Sequence, residues 1–202
     1  MTQRNHIEHE LKLCLSEADY VNLCEYLLLN SSLIKIHEQR NVYLETEDKH
    51  FAKKMEMLRL REAESSWTLT HKSRIQVNNG EFSSQELEIE LGHFEGSISE
   101  LVQKVHSMEP WNQLKSIIIQ GQLVNTRHEF KWQDFTLELD RSQLSSDRVD
   151  FELECETSEF ELLRFRLADL FNHLNIPWEA QESSKYKRFL ETMGLTNINS
   201  IP

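Results

Sequence analysis

Apolar and charged side chains alternate at period two through most of this chain, and no other feature constrains its fold as much. Ile7, His9, Leu11, Leu13 and Leu15 alternate with Glu8, Glu10, Lys12 and Cys14. Leu58 and Leu60 oppose Arg59 and Arg61, while Trp67, Leu69 and His71 oppose Thr68, Thr70 and Lys72. Leu87, Ile89 and Leu91 stand against Glu86, Glu88 and Glu90. Near the end, Val149, Phe151, Leu153 and Cys155 stand against Asp150, Glu152, Glu154 and Glu156. A strand sends successive side chains to opposite faces, so each segment has one apolar and one charged face. Strand-like stretches at 34–44, 114–127 and 130–139 extend the series, the first with an irregularity between Ile36 and Val42. Residues 63–65 and Asn78-Asn79-Gly80 supply hairpin connections.

Helices are fewer. Ser16, followed by Glu17 and Asp19, predicts a helix start, with an apolar body over 20–29. Further helices are predicted at 97–106 and at 159–173, where Phe160, Leu163, Leu167, Leu170 and Phe171 form a stripe. A last helix covers 184–193 and ends at Gly194. These are too few to cover one face of a flat sheet built from all the alternating strands. Closing the sheet resolves the mismatch, with apolar side chains outward beneath the helices and polar ones inward. The expectation is one α+β domain over 1–202: an antiparallel barrel of eight strands with a charged lumen and helices packed outside.

A lumen with bases on one part and carboxylates on another is costly to desolvate. Bases call for a polyanion such as a phosphate chain, and carboxylates for Mg²⁺ or Mn²⁺. Internal Lys–Glu pairing is the alternative that needs no ligand. The surface sets other limits, because 34 acidic against 22 basic residues leave a formal net charge of −12. That balance argues against nucleic acid and against an anionic membrane surface as partners. Five glycines leave little material for a glycine-rich phosphate loop. Cys14, Cys24 and Cys155 show no metal-type spacing and suit a reducing compartment. No signal-like or membrane-length apolar run occurs, so a cytoplasmic protein is expected. His6, His9 and His71 have no convincing ligand spacing, and Trp67 falls on the apolar parity of its strand.

The order of short motifs carries a family resemblance. Glu8-His9-Glu10-Leu11-Lys12 matches an ExExK signature, and Asn41-Val42-Tyr43-Leu44-Glu45-Thr46 is similar to N-x-Y-F-D-T, with Glu45 in place of Asp. Leu58-Arg59-Leu60-Arg61-Glu62, Thr68-Leu69-Thr70-His71-Lys72 and Gly121 to Arg127 follow as L-R-I-R-E, T-L-T-x-K and G-x-L-x-x-x-R. Leu137-Glu138-Leu139-Asp140, Asp150 to Glu156, and Ser184-Lys185-Tyr186-Lys187-Arg188 complete the set. This succession resembles the CYTH superfamily of triphosphate tunnel metalloenzymes. It looks closest to a small Gram-positive bacterial subgroup often named provisionally as adenylate cyclases.

The resemblance implies an eight-stranded tunnel acting on a small-molecule triphosphate with Mg²⁺ or Mn²⁺. Glu8, Glu10, Asp140, Glu152 and Glu154 would hold metal. Lys12, Arg59, Arg61, Lys72 and Arg127 would grip phosphate oxygens and, with Asp140, form the catalytic set. Lys185 and Arg188 would close a tunnel mouth or touch the terminal phosphate, unless they lie on an exposed helix face. Glu138 shares the face of Asp140, and roles for Glu86, Glu88, Glu90 and Glu156 stay open. The implied reaction is metal-dependent hydrolysis of inorganic triphosphate to diphosphate and phosphate. An adenylate cyclase, a thiamine or nucleoside triphosphatase and a non-catalytic polyphosphate-binding module are the alternatives. A homodimer is also consistent with the family.

Overall fold

The computed structural model describes residues 2–195. Eight strands form one closed barrel: β1 (Gln3–Leu15), β2 (Ser32–Glu45), β3 (Met57–Ala63), β4 (Ser66–Asn78), β5 (Glu81–Gly92), β6 (Ile118–Trp132), β7 (Phe135–Ser145) and β8 (Arg148–Glu156). Neighbours run in the order β1-β5-β4-β3-β2-β6-β7-β8, and the antiparallel β1–β8 ladder closes the ring. Closure removes both sheet edges and gives every strand an inside and an outside. The helices are α1 (Glu17–Asn30), α2 (His50–Lys53), α3 (Ile98–His106), α4 (Phe160–Leu174) and α5 (Lys185–Thr192). The terminal residues 1 and 196–202 of the expected domain lie outside the described residues.

Local chemistry accounts for the element ends. The Ser16 side chain accepts from the Asp19 amide at 3.1 Å, and Ser97 with Glu100 forms a reciprocal capping box on α3. Ser184 caps α5 by accepting from Lys187 N at 3.2 Å. Asn79 and Gly80, both at positive φ, turn β4 into β5. Glycine is required at position 80, because a Cβ there would lie 2.7 Å from the Lys12 carbonyl oxygen.

Outward apolar residues form two cores. Leu11, Leu13, Leu137, Leu139 and Leu153 pack with Leu23 and Leu27 of α1 and Leu163 and Leu167 of α4. Val42, Leu58, Leu60, Trp67, Leu69 and Ile89 pack with Leu101 and Val105 of α3 and with Trp111. Burying a leucine side chain of this kind stabilises by about 1.5–3 kcal/mol. A third cluster sits across one end of the barrel, where Tyr186, Phe189 and Leu190 of α5 meet Tyr43, Leu123 and Leu144. Gly121 makes room for it, since a Cβ there would stand 2.5 Å from the Phe189 ring.

Several boundaries differ from the sequence reading. Residues 114–117 are not strand, and β6 runs on to Trp132, so the β6–β7 turn falls at Gln133-Asp134. Gln133 adopts positive φ without the Asn-Gly signal, which hides the turn in the sequence. The irregularities of β2 lie at Leu33/Lys35 and Tyr43/Leu44, not between Ile36 and Val42. The short α2 was not anticipated; it is too brief to show helical periodicity. Among the described residues no helix is long and apolar enough to cross a membrane.

Candidate functional site

Registered pairs share a face of the sheet, so the ladders define the lumen directly. Lys12 stands opposite Glu154, Arg127 opposite Asp140, Asn41 opposite Arg61, and Lys72 opposite Glu86. All of these but Asp140, which lies behind Arg127 and Lys185, line a 210 Å³ cavity together with Glu8, Glu10, Arg59 and Lys185. Along β6 the lumen face changes from Arg127 through Asn125 and Leu123 to Gly121, so charge gives way to apolar surface towards α5.

One wall, from β1, β7 and β8, is acidic, and its carboxylates are engaged by lysines and arginines. Arg127 donates through Nε and Nη2 to the two Asp140 oxygens at 2.7 and 2.6 Å and through Nη2 to Glu154 at 2.7 Å. It also contacts Glu138. Lys12 Nζ lies 3.0 Å from both Glu10 and Glu154, and Lys185 Nζ lies 2.5 Å from Asp140 and 3.3 Å from Glu154. Lys72 joins Glu8 and, at 3.2 Å, Glu86. Arg188 is buried, with Nε donating to Asp150 at 2.8 Å and Nη2 to Glu152.

These contacts set the protonation states. Burial raises the Asp140 carboxyl, but Arg127 and Lys185 outweigh it and hold the group below the usual carboxylate range. Glu154 is held low in the same way by Lys12, Lys185 and Arg127, against its burial. Burial dominates at Glu10, where it lifts the carboxyl to about 7 despite Lys12.

On the opposite wall the two arginines of β3 have only neutral hydrogen-bond partners. Arg59 is buried; its Nη2 lies 3.5 Å from Thr70 Oγ1, and its Nε has no hydrogen-bond partner. Arg61 Nε donates to Asn41 Oδ1 at 3.0 Å. Neither arginine forms an ion pair among the described residues. Burial, then the neighbouring Arg59 and Arg127, lowers Arg61 to about 10. Guanidinium groups held dry beside one another cost free energy unless an anion joins them.

The sequence candidates therefore converge on one lumen. Lys185 and Arg188, which a helical face could have exposed, turn inward from α5. Glu86 is buried against Lys72, whereas Glu88 and Glu156 line the outer part of the cavity. Glu90 is exposed. Asn41, Gln39 and Asn125 were not singled out from the sequence, although each has lumen parity; Asn125 Nδ2 donates to Gln39 Oε1 at 3.2 Å. Glu45, the departure from the family motif, accepts from the Phe51 and Ala52 amides at 3.1 and 2.9 Å and so fastens α2 to β2. His9 packs on Phe160, and His71 on Phe51 and Trp111, both outside the lumen.

The acidic wall offers hard oxygen donors of the kind Mg²⁺ or Mn²⁺ prefers. No three acidic, His or Cys groups converge in ligand geometry among the described residues, because Lys and Arg atoms sit between the carboxylates. Glu152 Oε1 is the exception, a buried carboxylate oxygen with no hydrogen-bond partner. That orphan oxygen and the donor chemistry fit a divalent cation, with Glu8, Glu10, Asp140, Glu152 and Glu154 as the available donors.

A closed antiparallel barrel whose acidic wall faces two arginines without ion-pair partners is a charge-lined tunnel. The CYTH domain model matches residues 6–189, and the chain belongs to the CYTH family. A Hippeastrum protein, provisionally an adenylyl cyclase and described as having a dominant triphosphatase activity, superposes with a TM-score of 0.79 at 24% identity, covering 92% of this chain and 96% of its own. A provisionally named adenylate cyclase from Bacillus halodurans gives 0.68 at 24% identity, with 92% and 98% covered. A Pyrococcus horikoshii protein gives 0.56 at 25% identity, with 84% and 91% covered. These likenesses establish the shared fold. No functionally curated protein matches the chain significantly.

Proposed function

We propose that this protein hydrolyses a phosphoanhydride bond of inorganic triphosphate, yielding diphosphate and phosphate, with Mg²⁺ or Mn²⁺ as cofactor. The observation that carries this reading is the pair Arg59, buried, and Arg61, half-buried, on the cavity wall without an ion-pair partner among the described residues. Two planar cations side by side suit the non-bridging oxygens of a phosphate chain. The Hippeastrum relative, with its dominant triphosphatase activity, supports the same class of reaction. The 210 Å³ cavity has no Phe, Tyr or Trp in its lining, so it offers phosphate contacts and no stacking platform for a nucleobase. That favours the inorganic chain over ATP and hydrolysis over cyclisation.

In this reading Arg59 and Arg61 hold one flank of the chain, and Lys12, Lys72 and Arg127 neutralise charge on the phosphoryl group being transferred. Lys185 and Arg188 act from the α5 end of the lumen. Glu8, Glu10, Asp140, Glu152 and Glu154 would hold the cation, which when bound would supply Lewis-acid polarisation of the phosphate oxygens. A carboxylate of the acidic wall accepts a hydrogen bond from the attacking water and orients it in line with the bridging oxygen that leaves. Water oxygen bonds to phosphorus as that bridge breaks, and the released protons pass to solvent.

Phosphate release from triphosphate, ATP and thiamine triphosphate, each with Mg²⁺ or Mn²⁺, tests the proposal. Triphosphate turns over fastest if it holds. Absence of turnover on all three refutes it, and cyclic AMP formed from ATP assigns the cyclase instead. We place the activity in one domain spanning the chain, acting in the cytoplasm; self-association into a dimer is read out by light scattering.

A further inference from the structure

The lumen consists of two contiguous spaces of different chemistry. Beyond the charged cavity lies a second one of 60 Å³, and Glu10, Lys12, Arg59, Lys72 and Lys185 line both. They form a partition of four cations and one carboxylate. Past it the lining turns apolar, with Tyr43, Met57, Ile75, Phe82 and Tyr186 interrupted only by serine hydroxyls.

A bulge in β4 produces this change. Ser73 pairs with Gln85 but Gln76 pairs with Ser83, so Arg74 and Ile75 face a single residue, and Arg74 adopts positive φ. Before the bulge the even positions face the lumen, as the Lys72–Glu86 pair shows. After it Val77 pairs with Phe82, which itself stands opposite Glu10. The parity has inverted. Charge alternation stops, and the hairpin arches an apolar lip over the inner end of the lumen. Lys12 Nζ rests 5.4 Å from the centre of the Phe82 ring, at the boundary between the two spaces.

Resting on the triphosphatase reading, we infer that the apolar chamber is a stop that sets substrate length: the inner end of the phosphate chain halts at the partition, and three phosphates fill the charged cavity. A phosphate pushed past the partition would lose its water against Ile75 and Phe82 and meet no cation beyond the four of the partition, of which Lys12, Lys72 and Lys185 already pair with carboxylates, so its desolvation is poorly offset. An aromatic head group is poorly accommodated too, since a cavity that holds benzene measures about 150 Å³ and this chamber has 60 Å³. Further phosphates must then project outward, where Glu88, Glu138 and Glu156 line the mouth with Arg4 and His6. Glu138 already faces Arg127, so the rim offers surplus negative charge to an emerging polyanion.

The test is a length series, inorganic triphosphate, tetraphosphate and long-chain polyphosphate, measured by calorimetric binding and by phosphate release. Triphosphate binds more tightly than long-chain polyphosphate by about tenfold or more, corresponding to ~1.4 kcal/mol. Ile75→Ala enlarges the chamber and shrinks the tetraphosphate disadvantage by about threefold or more, compared within the same variant. Glu88→Gln, at the rim and away from the core, improves long-chain binding relative to triphosphate. Equal affinity for all three lengths overturns the inference, as do length ratios unmoved by both variants. Tighter binding of thiamine triphosphate than of triphosphate, lost in Ile75→Ala, also overturns it by making the chamber a head-group pocket. Binding separates this outcome from the parent reading, because length discrimination without turnover keeps the stop and removes only the triphosphatase.

Discussion

Arg127 and Arg59 are both buried arginines in the same lumen, yet they occupy opposite electrostatic situations. Arg127 is surrounded by Asp140, Glu138 and Glu154. Arg59 reaches only Thr70 and leaves its Nε unpartnered. The first arrangement is already charge-balanced within the fold before a ligand arrives. The second is incomplete, and its cost is offset only when an anion arrives. Ion pairing of the kind that could have filled the whole lumen has filled one wall of it.

The contrast is broken most severely at Arg127. Arg127→Ala strands buried carboxylates, and a loss of about 3–5 kcal/mol is expected; urea unfolding measures it, and an unchanged midpoint would erase the distinction. Next comes Arg59→Met, which keeps length and removes an unpaired charge. Triphosphate binding should weaken by about 1.5–3 kcal/mol, the range for a charge-assisted hydrogen bond, while the unfolding midpoint stays level or rises. Calorimetry and thermal unfolding of one sample check both halves.

Gly121→Ala probes the apolar end rather than either wall. Its new methyl would collide with the Phe189 ring, so a loss of about 1–3 kcal/mol is expected from overpacking. Unaltered stability would mean that α5 is not tightly seated.

The smallest effect concerns His128, outside the acidic wall. Its Nδ1 lies 3.1 Å from the Tyr20 hydroxyl, and burial lowers its pKa below the ordinary 6.5, with Asp140 pulling weakly the other way. His37, also lowered first by burial, acts in the same sense. An unfolded histidine takes up a proton near pH 6.5 that the folded one resists. Stability is therefore present above that pH and is lost as pH falls through and below it. Denaturant midpoints between about pH 8 and pH 5 in the wild type and in His128→Gln read this contribution by difference, since Glu10, lifted to about 7 by burial, tilts the total slope the other way. The rise with pH should be smaller in His128→Gln. A slope that steepens contradicts the assignment.

Much of the barrel was legible because a strand's period-two pattern survives wherever one face is buried. The segments around Glu8, Arg59, Lys72 and Glu152 were placed on the correct face from spacing alone. The pattern failed where local backbone departed from regular pleating. The bulge at Arg74-Ile75 reverses which parity faces inward, and the Gln133-Asp134 turn carries no glycine to announce it. Glu45 shows a different limit, since a motif match cannot reveal that its carboxylate is occupied by the amides of α2.

By itself the sequence determined that the chain closes into a barrel and which side chains enter the lumen, because both follow from local alternation and from the shortage of covering helices. Only the tertiary structure decided which charges neutralise one another. Lys12 meets Glu154 across 142 positions of chain, Arg188 meets Glu152, and Arg59 and Arg61 meet no carboxylate at all among the described residues. Electrostatic energy depends on distance in space, and spacing along one strand carries no information about what the facing strand brings near.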